Sequence, residues 1–120
     1  MELTPEKIYK NYNNKTLDKT SAVENLISIV ENSDKINTRL ESLKILRDIG
    51  AQTNKVFKFL ENLLISDSHE KIRELAAETM KDLFIEKALE PMKWALQHEA
   101  SPYCLNTIYY TLINISANSF

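Results

Sequence analysis

The sequence predicts an all-α chain, an α-solenoid of about seven helices stacked in pairs, and three observations predict it. Apolar residues recur at steps of three and four along most of the chain. The pattern returns when the chain is shifted against itself by 34 and then by 32 residues. One glycine and three prolines in 120 residues leave little room for β-turns or long loops.

The repeat is clearest in the middle of the chain. Ile72, Leu75, Ala76, Met80, Leu83 and Phe84 form one apolar stripe, and Ala88, Leu89, Met92, Ala95 and Leu96 form a second. Neither helix can cover its own stripe, so the two are expected to pack together and leave apolar edges for neighbouring pairs. The shift of 34 places Ser33, Thr38, Arg39, Ser42, Leu43, Leu46 and Ile49 on Asp67, Ile72, Arg73, Ala76, Ala77, Met80 and Leu83. The same frame lays Ala22, Val23, Leu26, Ile29 and Val30 on Val56, Phe57, Leu60, Leu63 and Leu64. The shift of 32 carries those onto the stripe from Ala88 to Leu96, and sets Cys104, Ile108, Leu112 and Ile115 on Ile72, Ala76, Met80 and Leu83. The chain thus divides into a degenerate capping repeat over 4–32, repeats over 34–65 and 67–98, and an unpaired helix over 101–116, all in a single domain.

Taken in order, Thr4-Pro5-Glu6-Lys7 is a helix start with threonine as cap and proline in the first turn. That helix runs to about Asn11, turning Ile8, Tyr9 and Tyr12 inward, and a polar break follows to Lys15. Asp18 or Thr20 begins the next, which Asn32-Ser33-Asp34 closes. Ile36 to Ile49 is a helix ended by Gly50 in the left-handed conformation. Asn54 caps the partner helix, Lys55 to Ile65, and Asp67 or Ser68 caps the one after. Pro91 requires a start or a kink close to Leu89. Ser101-Pro102 opens the helix that reaches about Ile115, and the segment from Ser116 to Phe120 is expected to fray.

These paired helices, the turn Asp67-Ser68-His69-Glu70-Lys71-Ile72-Arg73, and Gly50 at the end of a first helix resemble HEAT repeats, including the short phycobilisome-lyase-type variety. The resemblance covers roughly nine tenths of the chain. It implies a ladder between successive repeats made by the turn aspartate, Asp34 or Asp67, and the first-helix arginines Arg39 and Arg73. The final repeat departs from that pattern, with Glu99 at the aspartate position and Leu105 at the arginine position.

Composition narrows the function. A net charge of −2 with interspersed lysines and glutamates offers no basic face for nucleic acid. One cysteine excludes an intrachain disulfide and fits a reducing compartment. Nothing reaches the roughly 20 apolar residues of a membrane span, and Met1 to Lys10 is too polar for a signal peptide, so a cytoplasmic protein is expected. Catalysis needs titratable groups that converge; Cys104 falls on a core column, while His69 and His98 sit at a turn and a helix end. No metal-ligand spacing occurs, and no cofactor is called for.

The expectation is therefore a non-catalytic protein-binding or scaffolding module. The resemblance implies that second helices line a concave face that meets partners. The aligned second helices give one column of Ser28, Asn62 and Trp94 and another of Glu24, Lys58 and Glu90. Trp94 then either stands exposed as an interface anchor, forming a patch with Asn62, Lys58 and Glu90, or folds over Pro91, His98 or the next helix and completes the core. A second candidate is the helix of Tyr103, Ile108, Tyr109, Leu112, Ile113 and Ile115, apolar on more than one face. Either it caps its own stack, or the face around Tyr109, Tyr110 and Ile113 joins a second copy as a homodimer, or further chain covers it. The lyase-type resemblance allows an alternative, a regulatory or attachment subunit that supports an enzyme reaction, with a pocket containing Cys104 or His98.

Overall fold

In the computed structural model, which describes residues 3–117, the described chain is all-helical. Seven helices follow one another: α1 (Pro5–Asn13), α2 (Lys19–Asn32), α3 (Ile36–Ile49), α4 (Asn54–Ser66), α5 (Glu70–Leu83), α6 (Leu89–His98) and α7 (Pro102–Ala117). No strand occurs among the described residues. They fall into two compact units, Met1–Ala51 with α1 to α3 and Gln52–Phe120 with α4 to α7. The boundary runs inside the expected repeat 34–65.

In the first unit α2 packs along α3, and α1 lies against both. Ile8, Ala22, Leu26, Val30, Leu43 and Leu46 are fully buried there. Along α2 the inward set is Ala22, Val23, Leu26, Ile27 and Val30; Ile29, expected inside, is half-exposed while Ile27 takes its place. Thr4 Oγ1 accepts the Lys7 N–H and Asp18 Oδ1 the Ser21 N–H, so both helices are capped as their sequences require. Lys15 adopts a positive φ in the break between them. Arg39 of α3 donates from Nε to the Val30 carbonyl near the end of α2 at 2.6 Å. Gly50 ends α3 in the left-handed conformation at φ 73°, where any Cβ would be strained.

In the second unit α5 lies between α4 and α7, and α6 lies against α7 and α4. The expected hairpin partners α5 and α6 have the more distant backbones. Side-chain size gives a reason for the close approach of α5 and α7: they bury the small residues Ala76, Ala77, Thr79, Cys104 and Thr111. The link after α5 is held to the start of α4 by an edge-to-face contact of Phe57 and Phe84 at 5.3 Å and by a hydrogen bond from Gln52 Nε2 to the Leu83 carbonyl.

Several helix starts differ from expectation by one residue. Thr53, not Asn54, caps α4 by accepting the Val56 N–H. His69 takes the cap position of α5, where Nδ1 accepts the Lys71 N–H, and Asp67 Oδ1 braces the turn by accepting the His69 N–H. Pro91 falls within the first turn of α6, which begins at Leu89 without a kink. Ser101 precedes α7 as expected, though its hydroxyl donates to Glu70. Ser116 and Ala117, expected to fray, continue α7, while positions 118–120 lie outside the described residues.

Candidate functional site

The most structured surface feature of the second unit is built around Arg73, in the first turns of α5. Its Nη1 donates to the Asp67 carbonyl at 2.8 Å. Nε and Nη2 grip the two oxygens of Glu99 at 2.8 and 3.1 Å, a bidentate pair that fixes both planes. Glu99 follows the last residue of α6, and its Oε2 also accepts the N–H groups of Ala100 and Ser101, which lead into α7. One carboxylate therefore joins the end of α6, the start of α7 and the start of α5. Burial alone would raise the Glu99 carboxyl, but the Arg73 guanidinium and the two backbone N–H groups overcome it and hold it below its ordinary value. In return, the pairing raises Arg73.

Two further bonds stitch the same junction. Ser101 Oγ donates to Glu70 Oε2 at 2.7 Å, and Cys104 Sγ donates to the Glu70 carbonyl at 3.1 Å. Burial pushes the Cys104 thiol up to about 11. At neutral pH it is a protonated side chain of the interior, far from the thiolate that nucleophilic chemistry uses.

Above the Arg73 and Glu99 pair opens a groove of about 220 Å³ lined by Leu64, Ile65, Asp67, Trp94, Ala95, His98 and Ala100 besides the pair itself. Trp94 and His98 stand one helical turn apart on α6 and stack, with centroids 3.9 Å apart and planes at 14°. His98 Nδ1 lies 2.8 Å from the Trp94 carbonyl. A carbonyl only accepts, so Nδ1 carries the proton and Nε2 is left as the acceptor of the neutral ring. The indole remains 40% exposed. The groove thus combines an aromatic wall, an aliphatic wall and a rigid polar floor, a combination able to receive one side chain of a partner.

Of the predicted patch, Lys58, Asn62, Glu90 and Trp94 are all exposed. Glu90 stands 4.0 Å from Lys93 on its own helix. The groove takes in Trp94 but not Lys58, Asn62 or Glu90; its other residues are Arg73, Ala95, His98, Glu99, Ala100 and, at the C-terminal end of α4, Leu64, Ile65 and Asp67. His98 was readable as a partner of Trp94 from the spacing of four alone. On α7, Tyr103, Tyr109, Tyr110 and Ile113 are exposed. Ile108, which the repeat set on the core position of Ala76 although its helix was expected to lack a cover, is fully buried, and Leu112 and Ile115 are half-buried, because the stripe of Cys104, Ile108 and Thr111 lies on the side of α7 that packs against its neighbours. Cys104, His69 and His98 do not form a shared cluster: the first is interior, the second caps α5, the third lines the groove. No group of three or more metal-ligating side chains occurs among the described residues. None of their helices is long and apolar enough to cross a membrane.

Compared with known proteins, the chain matches no family model, no curated protein and no solved structure.

Proposed function

We propose that this chain is a HEAT-like repeat module, a right-handed α-α superhelix whose second helices form a concave protein-binding face, and that it scaffolds a partner without chemistry of its own. The observation that carries this reading is the groove beside Trp94. Its indole is exposed yet fixed against His98, and exposed aromatics held rigid lose little entropy when a partner covers them. The floor has spent its polar groups on one another, so a ligand would gain affinity from shape and apolar contact. Lys58, Asn62 and Glu90 would serve as the polar margin of the same face. The repeat of the sequence, and the way α5 meets α7 while α4 meets α6, favour stacked pairs.

The experiment is site-specific photo-crosslinking from position Gln97, with position Glu86 as control, in wild type and in Trp94→Ala. One discrete partner captured from Gln97, and lost with Trp94→Ala while helicity and melting are unchanged, is the expected result. Equal capture from both positions, or capture indifferent to Trp94→Ala, overturns the reading. An attachment subunit supporting an enzyme remains the second reading because His98 lines the groove. It requires Cys104 or His98 to react. Thiol labelling of the native protein at a rate far below that of the unfolded chain, together with full function of His98→Gln, decides against it.

A further inference from the structure

The described chain has one helix without a charged residue. α7 reads PYCLNTIYYTLINISA, while each of α1 to α6 carries at least two charges. Its inner stripe of Cys104, Ile108 and Thr111 is buried. On the opposite side Tyr103, Asn106, Tyr110, Ile113 and Ala117 follow one another at steps of three, four, three and four, and all five are exposed. That is the spacing of a coiled-coil seam, here facing outward along a helix of 16 residues, about 24 Å. Tyr103 is 68% exposed and Tyr110 64%, with Tyr109 alongside the seam at 59%.

We propose that this seam pairs with the same seam of a second copy, two α7 helices running antiparallel across a two-fold axis near Tyr110. The charge pattern selects this occupant. In a two-fold contact each residue meets its own counterpart or a close neighbour, so any charge near the axis faces its like. A helix emptied of charge suits that arrangement. A membrane-surface helix would carry lysines and arginines on its polar face, and a nucleic-acid surface would need them too. The seam also complements itself in size. Antiparallel pairing sets the Tyr103 end of one helix against the Ala117 end of the other, large against small. Asn106 inside the seam offers a hydrogen-bonding group that fixes register. Antiparallel helices, finally, place opposite dipole ends together.

The surface is distinct from the Trp94 groove, and the two readings fail separately. The test is the solution mass of the full chain by light scattering after size exclusion, over roughly 1–200 µM to span transient and stable association. The expected result is a species of twice 13.9 kDa that Ile113→Glu returns to the single mass, with circular dichroism unchanged. Should Ile113→Glu fail to fold, Tyr110→Cys replaces it: mild oxidation then gives a disulfide-linked dimer, while the control Glu86→Cys gives none. A monomer throughout the range, a dimer indifferent to Ile113→Glu, a larger assembly, or equal cross-linking of the control each overturns the proposal.

Discussion

The two units each set one carboxyl group against a close neighbour, and the neighbour decides the sign of the effect. In the first unit Glu41 of α3 lies beside Glu6 of α1, and the hydrogen bond a proton on Glu41 would make to it, with some burial and the repulsion between them, raises Glu41 above its ordinary value. Glu6, held also by its own helix start, goes down. In the second unit Glu99 meets Arg73 and two backbone N–H groups and goes down, although it is the more buried acid. Burial is thus a poor guide to what either group does. The contrast separates a junction that holds its elements together by charge from one that merely tolerates charge, and it can be broken in steps of decreasing size.

The largest effect is expected from Arg73→Leu. The Glu99 side chain is only 5% exposed, and removing the guanidinium leaves a largely desolvated carboxylate with no counter-charge and only the Ala100 and Ser101 N–H groups. A loss of about 3 kcal/mol follows, near the lower end for breaking a buried pair because Arg73 keeps partial exposure. Urea unfolding measures it, and a loss under about 1 kcal/mol would mean that the pair contributes no more than a surface ion pair. Glu99→Gln comes next. The amide keeps the shape and one acceptor oxygen but brings an NH2 group toward the guanidinium, for a loss of about 2 kcal/mol. The same substitution should loosen the groove, so the Trp94 emission is expected to shift to the red, since His98 and Glu99 are adjacent in the chain. An unchanged spectrum would show that the stacked pair is fixed by α6 alone.

How much of this was legible in the sequence follows from which interactions are local. The seven helices, the Thr4 and Asp18 caps, the Gly50 terminator and the start of α6 near Leu89 all depend on residues within about one turn of each other, and periodicity with capping chemistry reads them directly. Glu99 could be placed at a turn position by alignment of the repeats. That it meets Arg73 is a contact across 26 residues. Ile108 shows the other limit: an apolar residue on an amphipathic helix can be assigned to a stripe, yet which stripe is covered depends on neighbours that the stripe does not name. The groove was missed for the same reason. For Trp94 the sequence left exposure and packing over His98 both open, and apart from Ala95 and His98 on its own helix the groove's residues come from α4, α5 and the turns.

Acid titration sharpens the comparison further. Glu99 has a folded-state value below its unfolded one, so its contribution is fully present above the ordinary glutamate value, about 4.3, and is lost as the pH falls through the lowered value. Glu41, raised in the folded state, behaves in the opposite sense: its contribution is present at low pH and is lost as the pH rises from the ordinary value through the raised one. Wild type should therefore lose stability below about pH 4.3, and Glu99→Gln should flatten that part of the profile. Chemical denaturation at closely spaced pH values checks it. A profile of Glu99→Gln parallel to wild type would move the acid sensitivity to some other group.

The smallest effect, and the sharpest contrast with Glu99→Gln, belongs to Glu41→Gln. Where both carboxyls of the first unit carry charge they repel. An amide at position 41 can donate to Glu6 without first taking up a proton, so the hydrogen bond that the wild type forms only on protonation becomes permanent. Glu41 is half-buried at the surface, and water still screens part of what is gained: a stabilisation of up to about 0.5 kcal/mol at pH 7 is expected. The gain should fade as the pH falls through the raised Glu41 value, because the native carboxyl then carries the proton itself. Two glutamate-to-glutamine changes in one chain would thus differ in sign, and the difference would trace to the partner alone. Equal losses at positions 41 and 99 would show instead that each carboxylate acts through contacts of its own aliphatic stem.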